Sequence, residues 1–361
     1  MAQVEAVLAC YDSISITQVH HGGNSMKVYQ VQPGAGLDGL SIDERPEPTP
    51  APRQVLIKVK AVSLNDRDLL ILKGLYPGVT RPVVPVSDGM GEVVALGEGV
   101  TRVKVGDRVI GTFFQRWIDG PTSLAKRDVA LGGTCDGLLA EYALLDAEGL
   151  VLAPDHLSDE EASCLPCAGV TAWRGLTGGA GFLPGETVLV QGTGGVSLFA
   201  AQFAKAAGGR VIITSSSDEK LDKARTLGAD AGINYRTIPD WDMRVLELTG
   251  GVGVDRVIEV GGAGTLARSI NAVRDEGQIS LIGVLAGWAQ EVGVTPLIAK
   301  NVHIQGFTVG SRAAFEDMNR AITVSKVRPI IDRTFTFSEA RNALAYLESG
   351  GHFGKIVIRV S

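Results

Sequence analysis

The chain has 361 residues, a length that favours two domains over one. Hydrophobic residues make up 45% of it and charged residues 20%, which is typical of a folded globular protein. The formal net charge of -6 argues against nucleic acid as the main partner, because phosphate binding needs a basic field. No run of about 18 apolar residues occurs, so no membrane span is predicted.

The first 25 residues are interpreted as an N-terminal extension, because "MKVYQVQP" from Met26 looks like the start of the first strand. The extension contains Glu5 and Asp12 but neither lysine nor arginine, which is wrong for a transit peptide. Its apolar stretch "AVLAC" is too short for a secretory signal. We therefore expect a cytoplasmic protein.

The next part of the chain favours short strands. "VLIKVKAV", residues 55–62, alternates apolar and polar side chains, as a half-buried strand does. "GEVVALG" and "DRVIG" follow between glycine-rich turns, and no long helical period appears before Asp159. The sequence predicts an antiparallel, β-rich catalytic domain over residues 26–153.

Strands and helices alternate from residue 154 to residue 310. The strands "ETVLVQG", "RVIITSS", "AGINY", "VDRVIEVGG", "QISLIGV" and "VHIQGFTVG" are separated by helical patterns such as "DEKLDKARTLG", which begins at Asp218. This alternation predicts a doubly wound parallel sheet. The final strand "KIVIRV" indicates that residues 311–361 rejoin the first domain, so the catalytic domain is discontinuous.

A glycine turn lies between the first strand and the first helix of the predicted parallel sheet. "LVQGTGGVS" places Gly192, Gly194, Gly195 and Val196 at a helix N-terminus, where backbone amides bind a pyrophosphate. Ser197 replaces the third glycine of the usual dinucleotide pattern, a small change at a packing position. The turn predicts a bound dinucleotide.

The end of the second strand of the predicted parallel sheet indicates which dinucleotide is bound. An acidic residue there would bind a ribose 2′-hydroxyl, but the sequence continues "ITSSSDEK", with Ser215, Ser216 and Lys220 suited to a 2′-phosphate. Asp218 is interpreted as the cap of the next helix. Tyr235, after the third strand, is expected beside the adenine. These residues favour NADPH over NADH, although Lys220 also fits a solvated helix lysine.

Four segments together resemble the medium-chain dehydrogenase/reductase superfamily. They are "GEVVALGEGVTRVKVGDRV", "LPCAGVTAW", "VLVQGTGGVS" and "GKIVI". "SLNDRDLL", "GLYPG" and "INYR" resemble its zinc-independent quinone oxidoreductase branch, whose relatives are often named zinc-type alcohol dehydrogenase-like. The resemblance implies an α/β fold, a Rossmann domain with a GroES-like catalytic domain, and a homo-oligomer, either dimer or tetramer.

The resemblance also locates the positions at which zinc-type relatives hold a catalytic metal. In this chain they fall on Asn65, Ser87 and Cys167, and zinc needs about three Cys, His or carboxylate ligands. We therefore expect no metal, and no role is assigned to Asp88. Cys164 and Cys167 have redox-motif spacing, but buried structural residues are the favoured interpretation.

Candidate residues for hydride transfer follow from the same resemblance. Asn65 is expected to polarise the acceptor oxygen or to orient the nicotinamide, and Tyr76 resembles a pocket tyrosine, although packing before the Pro-Gly turn is an equal alternative. Thr171 matches the threonine that touches the cofactor. Further cofactor contacts are expected at the carboxyl ends of the later strands and at the closing strand: Val260, Val284, Val309 and Lys355. The valines also fit the core, and Lys355 also fits the surface.

These features predict an NADPH-dependent oxidoreductase that reduces a quinone or an activated enone by direct hydride transfer without a metal. One alternative is an alcohol or carbonyl oxidoreductase of the zinc-type alcohol dehydrogenase-like kind. The other is an NADPH-binding protein with a structural or interaction role. The expected partner is a small-molecule substrate, with neither nucleic acid nor membrane.

Overall fold

The computed structural model describes residues 24–289 and 291–361. The expected N-terminal extension therefore lies almost wholly outside the described residues, and Cys10 with it. Across the part of the chain that the structure describes, no helix combines the length and the apolar character needed to span a membrane.

The first half of the chain builds an antiparallel sheet and a separate two-stranded ribbon formed by its first two strands. Its elements are β1 (Ser25–Val31), β2 (Leu40–Pro46), β3 (Gln54–Ser63), α1 (Asp66–Leu72), β4 (Asp88–Leu96), β5 (Arg108–Gly111), α2 (Leu124–Arg127), β6 (Tyr142–Asp146) and β7 (Leu150–Leu152). β3 pairs antiparallel with both β4 and β6, and β5 joins β4 to β7. The strand alternation predicted this sheet, whereas the short helix α1 was not predicted because seven residues give little helical period.

The second unit is a six-stranded parallel sheet with helices between its strands. Its elements are α3 (Asp159–Ser163), a π-helical turn (Leu165–Gly169), α4 (Val170–Thr177), β8 (Thr187–Gln191), α5 (Gly195–Ala206), β9 (Arg210–Ser215), α6 (Asp218–Thr226), β10 (Ala231–Asn234), α7 (Trp241–Leu248), β11 (Val254–Glu259), α8 (Leu266–Ala272), β12 (Val273–Leu281), α9 (Thr295–Lys300) and β13 (His303–Gly306). The strand order is β10-β9-β8-β11-β12-β13. The order reverses between β8 and β11, where doubly wound sheets bind ligands.

The last part of the chain returns to the first sheet. It contains α10 (Arg312–Ser325), β14 (Ile331–Thr336), α11 (Ala340–Glu348) and β15 (Lys355–Arg359). β15 pairs antiparallel with β3 and parallel with β14. The α/β fold class, with a Rossmann sheet and a discontinuous GroES-like unit, is confirmed.

The structure differs from the sequence-based expectation at one helix cap and two strand boundaries. The helix α6 does begin at Asp218, but its cap is Ser217, whose hydroxyl accepts from the amide of Lys220. β12 begins at Val273, five residues before the predicted strand "QISLIGV", and its register against β11 shifts around the left-handed Glu276 (φ 58°). β13 ends at Gly306, before the predicted boundary.

Candidate active site

The glycine turn between β8 and α5 presents an open backbone surface. Gly192 has a φ of 74°, in the left-handed region that favours glycine, and Gly194 caps the twelve-residue helix α5. A Cβ built on either residue would meet no atom within 4 Å. The amides at this helix N-terminus therefore face free space into which an anionic group can approach closely.

Ser197 explains why the turn tolerates the loss of its third glycine. The Ser197 hydroxyl donates a 2.5 Å hydrogen bond to the carbonyl of Gln191 at the end of β8, and the residue is buried. The side chain thus ties the first turn of α5 to the strand that precedes it, so the serine takes over the packing role of a glycine.

The start of β15 lies against this turn. The amide of Gly354 donates to the carbonyl of Thr193 at 2.9 Å, and Gly194 and Gly354 form an isolated parallel bridge. A Cβ on Gly195 would lie 2.6 Å from Cδ of Lys355, so only glycine at position 195 lets the lysine stem pass. β15 is therefore held against the glycine turn by backbone pairing and by the packing of the Lys355 stem.

Lys355 runs from that contact into the cleft between the two sheets. It is 3% exposed, and its ammonium donates to Oδ1 of Asn65 at 2.6 Å and to the carbonyl of Leu64. The alternative of a surface lysine does not fit this burial. The structure places the Lys355 charge beside Asn65, so one side chain joins the glycine turn to the expected acceptor site.

Asn65 is held at the junction of β3 and α1. Its backbone amide donates to Oδ2 of Asp68 at 2.8 Å, and its φ of -136° is that of an extended residue before the helix. Its Nδ2 is buried and makes no hydrogen bond within 3.5 Å among the described residues, although it lies near enough to the Asp88 carboxylate to lower the pKa of that group. The side chain thus keeps an amide donor in the cleft, beside Asp88, while its oxygen is occupied by Lys355.

Asp88, to which the sequence assigned no role, is a completely buried carboxylate in the same cleft. It accepts from the Ser87 hydroxyl at 2.7 Å and from the Cys167 backbone amide at 2.9 Å. Burial raises the pKa of Asp88, and the positive charge of Lys355 is the largest effect that opposes this rise. Asp88 therefore fixes the segments that carry Ser87 and Cys167 and faces the lysine as its counter-charge.

The three positions that correspond to metal ligands do not fit a catalytic zinc. The Asn65 oxygen is bound to an ammonium, and the Ser87 hydroxyl donates to Asp88. Burial raises the pKa of the Cys167 thiol well above its usual range, and zinc binds the thiolate. Among residues 24–289 and 291–361, no group of three or more His, Cys, Asp or Glu side chains is arranged to hold a metal ion.

Cys164 is also poorly suited to redox chemistry. Its side chain is buried, and burial raises the pKa of its thiol to about 11. Thiol exchange needs an accessible thiolate, so the Cys164 and Cys167 spacing is better explained by packing at the π-helical turn.

The residues proposed for the ribose phosphate follow one another along the chain at the end of β9 and the start of α6. Ser215 is buried, Ser216 is half-buried, and Lys220 reaches back to donate to the Gly350 carbonyl at 3.1 Å. Burial lowers the pKa of Lys220. Tyr235 lies beyond β10 and is 42% exposed. A lysine bound only to a carbonyl keeps two donors for another group.

The remaining cofactor candidates lie on loops and on one helix. Val260 directly follows β11, whereas Val284 and Val309 lie three residues beyond β12 and β13 and therefore do not end those strands. Val309 has a φ of 38°, an unusual value for a β-branched residue, and its carbonyl accepts from Arg174 at 2.9 Å. Thr171 is buried in the first turn of α4.

Two further buried charged residues lie in or near the cleft. Glu259, at the end of β11, accepts from Gln191, Gly261, Gly262, Thr265 and Ser269, and so braces the loops beside the glycine turn. Arg67 lines the cleft with Asn65, Cys167 and Lys355. Arg67 and Asp68 are neighbours on α1, but the ion pairs within 4 Å among the described residues include none between them.

Comparison with known proteins agrees with this architecture. Residues 51–155 match the alcohol dehydrogenase GroES-like domain, and residues 195–324 match the zinc-binding dehydrogenase family. A zinc-type alcohol dehydrogenase-like protein of Schizosaccharomyces pombe is 46% identical over 335 residues, which cover 90% of this chain and 96% of the relative. An acryloyl-coenzyme A reductase of Metallosphaera sedula is 31% identical over 330 residues, covering 89% and 96%.

A solved structure shows the same fold along nearly the whole chain. It is a protein of Sinorhizobium meliloti assigned provisionally as an alcohol dehydrogenase, 44% identical, with a TM-score of 0.88. The match covers 94% of this chain and 100% of that one. On its two matched domains, its fold and these relatives, the chain belongs to the medium-chain dehydrogenase/reductase superfamily of NAD(P)-dependent oxidoreductases.

Proposed function

We propose that the protein reduces a quinone or the carbon-carbon double bond of an activated enone with NADPH, by direct hydride transfer and without a metal. The observation that carries this proposal is the contact of the Lys355 ammonium with Asn65 in the cleft, next to the dinucleotide turn. It supplies a positive charge and an amide donor where the acceptor oxygen would gain negative charge.

The glycine turn supports the dinucleotide part of the proposal. The open faces of Gly192 and Gly194 leave room for a pyrophosphate at the N-terminus of α5. Lys220, with Ser215 and Ser216 nearby in the chain, supports a 2′-phosphate and therefore NADPH. When bound, the dinucleotide supplies a hydride and is oxidised.

The chain's own residues then stabilise the product of that transfer. A carbon-hydrogen bond forms at the acceptor β-carbon, and the electron pair of the double bond moves to the carbonyl oxygen as an enolate. Nδ2 of Asn65 and the Lys355 ammonium donate to this oxygen, and water supplies the proton that completes the reduction. A quinone accepts hydride in the same way and becomes a hydroquinone.

The zinc-type alcohol dehydrogenase-like relatives favour a second candidate, an alcohol or carbonyl oxidoreductase. The donor set in the cleft opposes the metal-dependent form of this chemistry, because an ammonium lies where a divalent cation would be repelled. Metal analysis of the purified protein separates the two candidates. Stoichiometric zinc required for turnover would overturn the proposal.

The direct test is NADPH oxidation with a panel of quinones, enones, aldehydes and ketones. We expect turnover with quinones or enones that survives dialysis against a chelator, and tighter binding of NADPH than of NADH in fluorescence titrations. Turnover restricted to aldehydes or ketones would favour the second candidate. Tight NADPH binding with no turnover of any acceptor would favour a binding or structural role.

A further inference from the structure

Arg67 is a buried cation without a carboxylate partner. It lies in the first turn of α1 and is 7% exposed. Its Nη1 donates to the Leu131 carbonyl at 2.7 Å, whereas its Nε and Nη2 are buried and have no hydrogen-bond partner among the described residues. A guanidinium normally uses its donors when it is removed from water, so two nitrogens without a partner are costly and need an explanation.

Aromatic rings hold the guanidinium in place. Its central carbon lies 4.6 Å from the centroid of Tyr76 and 4.4 Å from that of Phe113. These contacts stabilise the cation but satisfy no N–H group, because they act through the faces of the rings. Nη2 also lies close to Gly133, where a Cβ would be 2.6 Å away. The guanidinium therefore lies among two aromatic rings and Gly133, with its Nε and Nη2 donors unused.

The buried carboxyls of the cleft leave these donors unused. Asp88 is influenced by the positive charge of Lys355, which opposes the rise in the Asp88 pKa caused by burial. Burial raises the pKa of Asp68 to about 6 despite the opposing charge of Arg67, and the Asp68 carboxyl accepts from the Asn65 backbone amide. Arg67 therefore has a carboxyl neighbour on its own helix but no carboxylate bound to Nε or Nη2 among the described residues.

We infer that Arg67 binds an anionic carboxylate on the acceptor, so that the substrate class is a carboxylate-bearing enone or quinone rather than a neutral one. Two adjacent N–H donors match the two oxygens of a carboxylate, which Arg binds in a bidentate fashion. Arg67 and Asn65 both line the cleft, and protein atoms cover the Nε and Nη2 donors in the ligand-free structure. The inference therefore includes their exposure when a small acceptor binds with its carboxylate at Arg67 and its carbonyl oxygen at Asn65. This inference rests on the proposed function.

The test compares β-acetylacrylate with its methyl ester, two enones that differ in one negative charge. We expect kcat/KM with NADPH to be at least about tenfold higher for the acid, because a buried charge-assisted hydrogen bond is lost in the ester. In Arg67→Met the ratio of kcat/KM for the acid to kcat/KM for the ester should fall close to one. Equal kcat/KM values in the parent, or an unchanged ratio in the variant, would overturn the inference.

A matched control is available in Arg333, which also lies over two rings, Phe335 at 5.5 Å and Tyr346 at 5.1 Å, but is exposed on β14. Arg333→Met should keep the parent ratio. If Arg67→Met does not fold, Arg67→Lys decides the question. Lysine keeps the charge but not the paired donors. The inference therefore requires an acid-to-ester ratio of kcat/KM that is lower than in the parent but still above one.

A binding experiment distinguishes failure of this inference from failure of the proposed function. If neither compound is reduced and the quinone panel is also inactive, the proposed reaction fails. Calorimetric titration of β-acetylacrylate and its ester into the parent with NADP+ present then tests Arg67 alone. Preferential binding of the acid that is lost in Arg67→Met supports the inference, and equal binding of the two compounds overturns it.

Discussion

The glycine turn and the acceptor side of the cleft are built in different ways. The turn is local: residues 191–197 supply its backbone amides and its supporting serine. The acceptor side is assembled from four distant segments that carry Asn65, Asp88, Cys167 and Lys355. Backbone amides of the turn remain available as donors as long as the backbone conformation is preserved. On the acceptor side the functional groups are side chains, so a single substitution can remove one of them.

Lys355 is the side chain through which these two regions meet. It leaves β15 beside Gly195 and ends at Asn65, so its stem belongs to the turn and its charge to the acceptor side. The comparison predicts that substitutions in the turn change cofactor affinity, while substitutions on the acceptor side change the rate of the chemical step.

The largest effect is expected for Lys355→Met, which keeps the length of the stem but removes the charge. We expect kcat to fall by about a hundredfold or more, because a preorganised charge at the acceptor oxygen is lost. NADPH affinity should change much less. Steady-state kinetics and fluorescence titration measure both quantities, with the exposed Lys73→Met as control. A large loss of NADPH affinity with an unchanged kcat would instead assign Lys355 to the cofactor phosphates.

Gly194→Ala tests the turn itself. Its backbone φ of -81° suits any residue and its Cβ would meet no protein atom, so the free energy of unfolding should stay within about 1 kcal/mol of the parent. The added methyl group would occupy the space expected for the pyrophosphate, and the NADPH Kd should rise about tenfold or more. Gly306→Ala, equally open but on β13, is the control. An unchanged Kd in Gly194→Ala would contradict the proposed cofactor position.

Lys220→Ala should have a smaller and more selective effect. Loss of one cation near the 2′-phosphate should raise the NADPH Kd several-fold, roughly 1 kcal/mol, and leave the NADH Kd nearly unchanged. Fluorescence titration with both dinucleotides measures the ratio, and exposed Lys223→Ala on the same helix is the control. Equal NADPH and NADH affinities in the parent would contradict the preference for NADPH.

Asp68→Asn is expected to affect the pH dependence of stability. Because burial raises the pKa of Asp68 to about 6, its ionisation opposes folding, and its contribution to stability is lost as the pH rises through 6. The stability of the parent relative to Asp68→Asn should fall by roughly 2 kcal/mol between pH 4 and pH 7. Urea unfolding at several pH values measures this difference. Asp66→Asn, exposed on the same helix, should show no such trend.

The sequence predicted the parallel sheet, the return of the C-terminal strand and the candidate turn, because each has a period or a glycine pattern within a short stretch. It did not reveal that Lys355 is buried, or that the Arg67 guanidinium lies over the rings of Tyr76 and Phe113. Those facts depend on which segments meet in the cleft. Spacing along the chain does not encode such contacts between segments more than forty residues apart.

The pairing of β15 with β3 has a consequence for insertions and deletions. Ile356 and Ile358 pack into the core of the first unit, while Val357 packs into the core shared with the parallel sheet. A shift of β15 by one residue would exchange these two faces and turn Lys355 away from Asn65. The hydrophobic alternation of this five-residue strand therefore fixes its register, and the register in turn fixes the position of the Lys355 ammonium in the cleft.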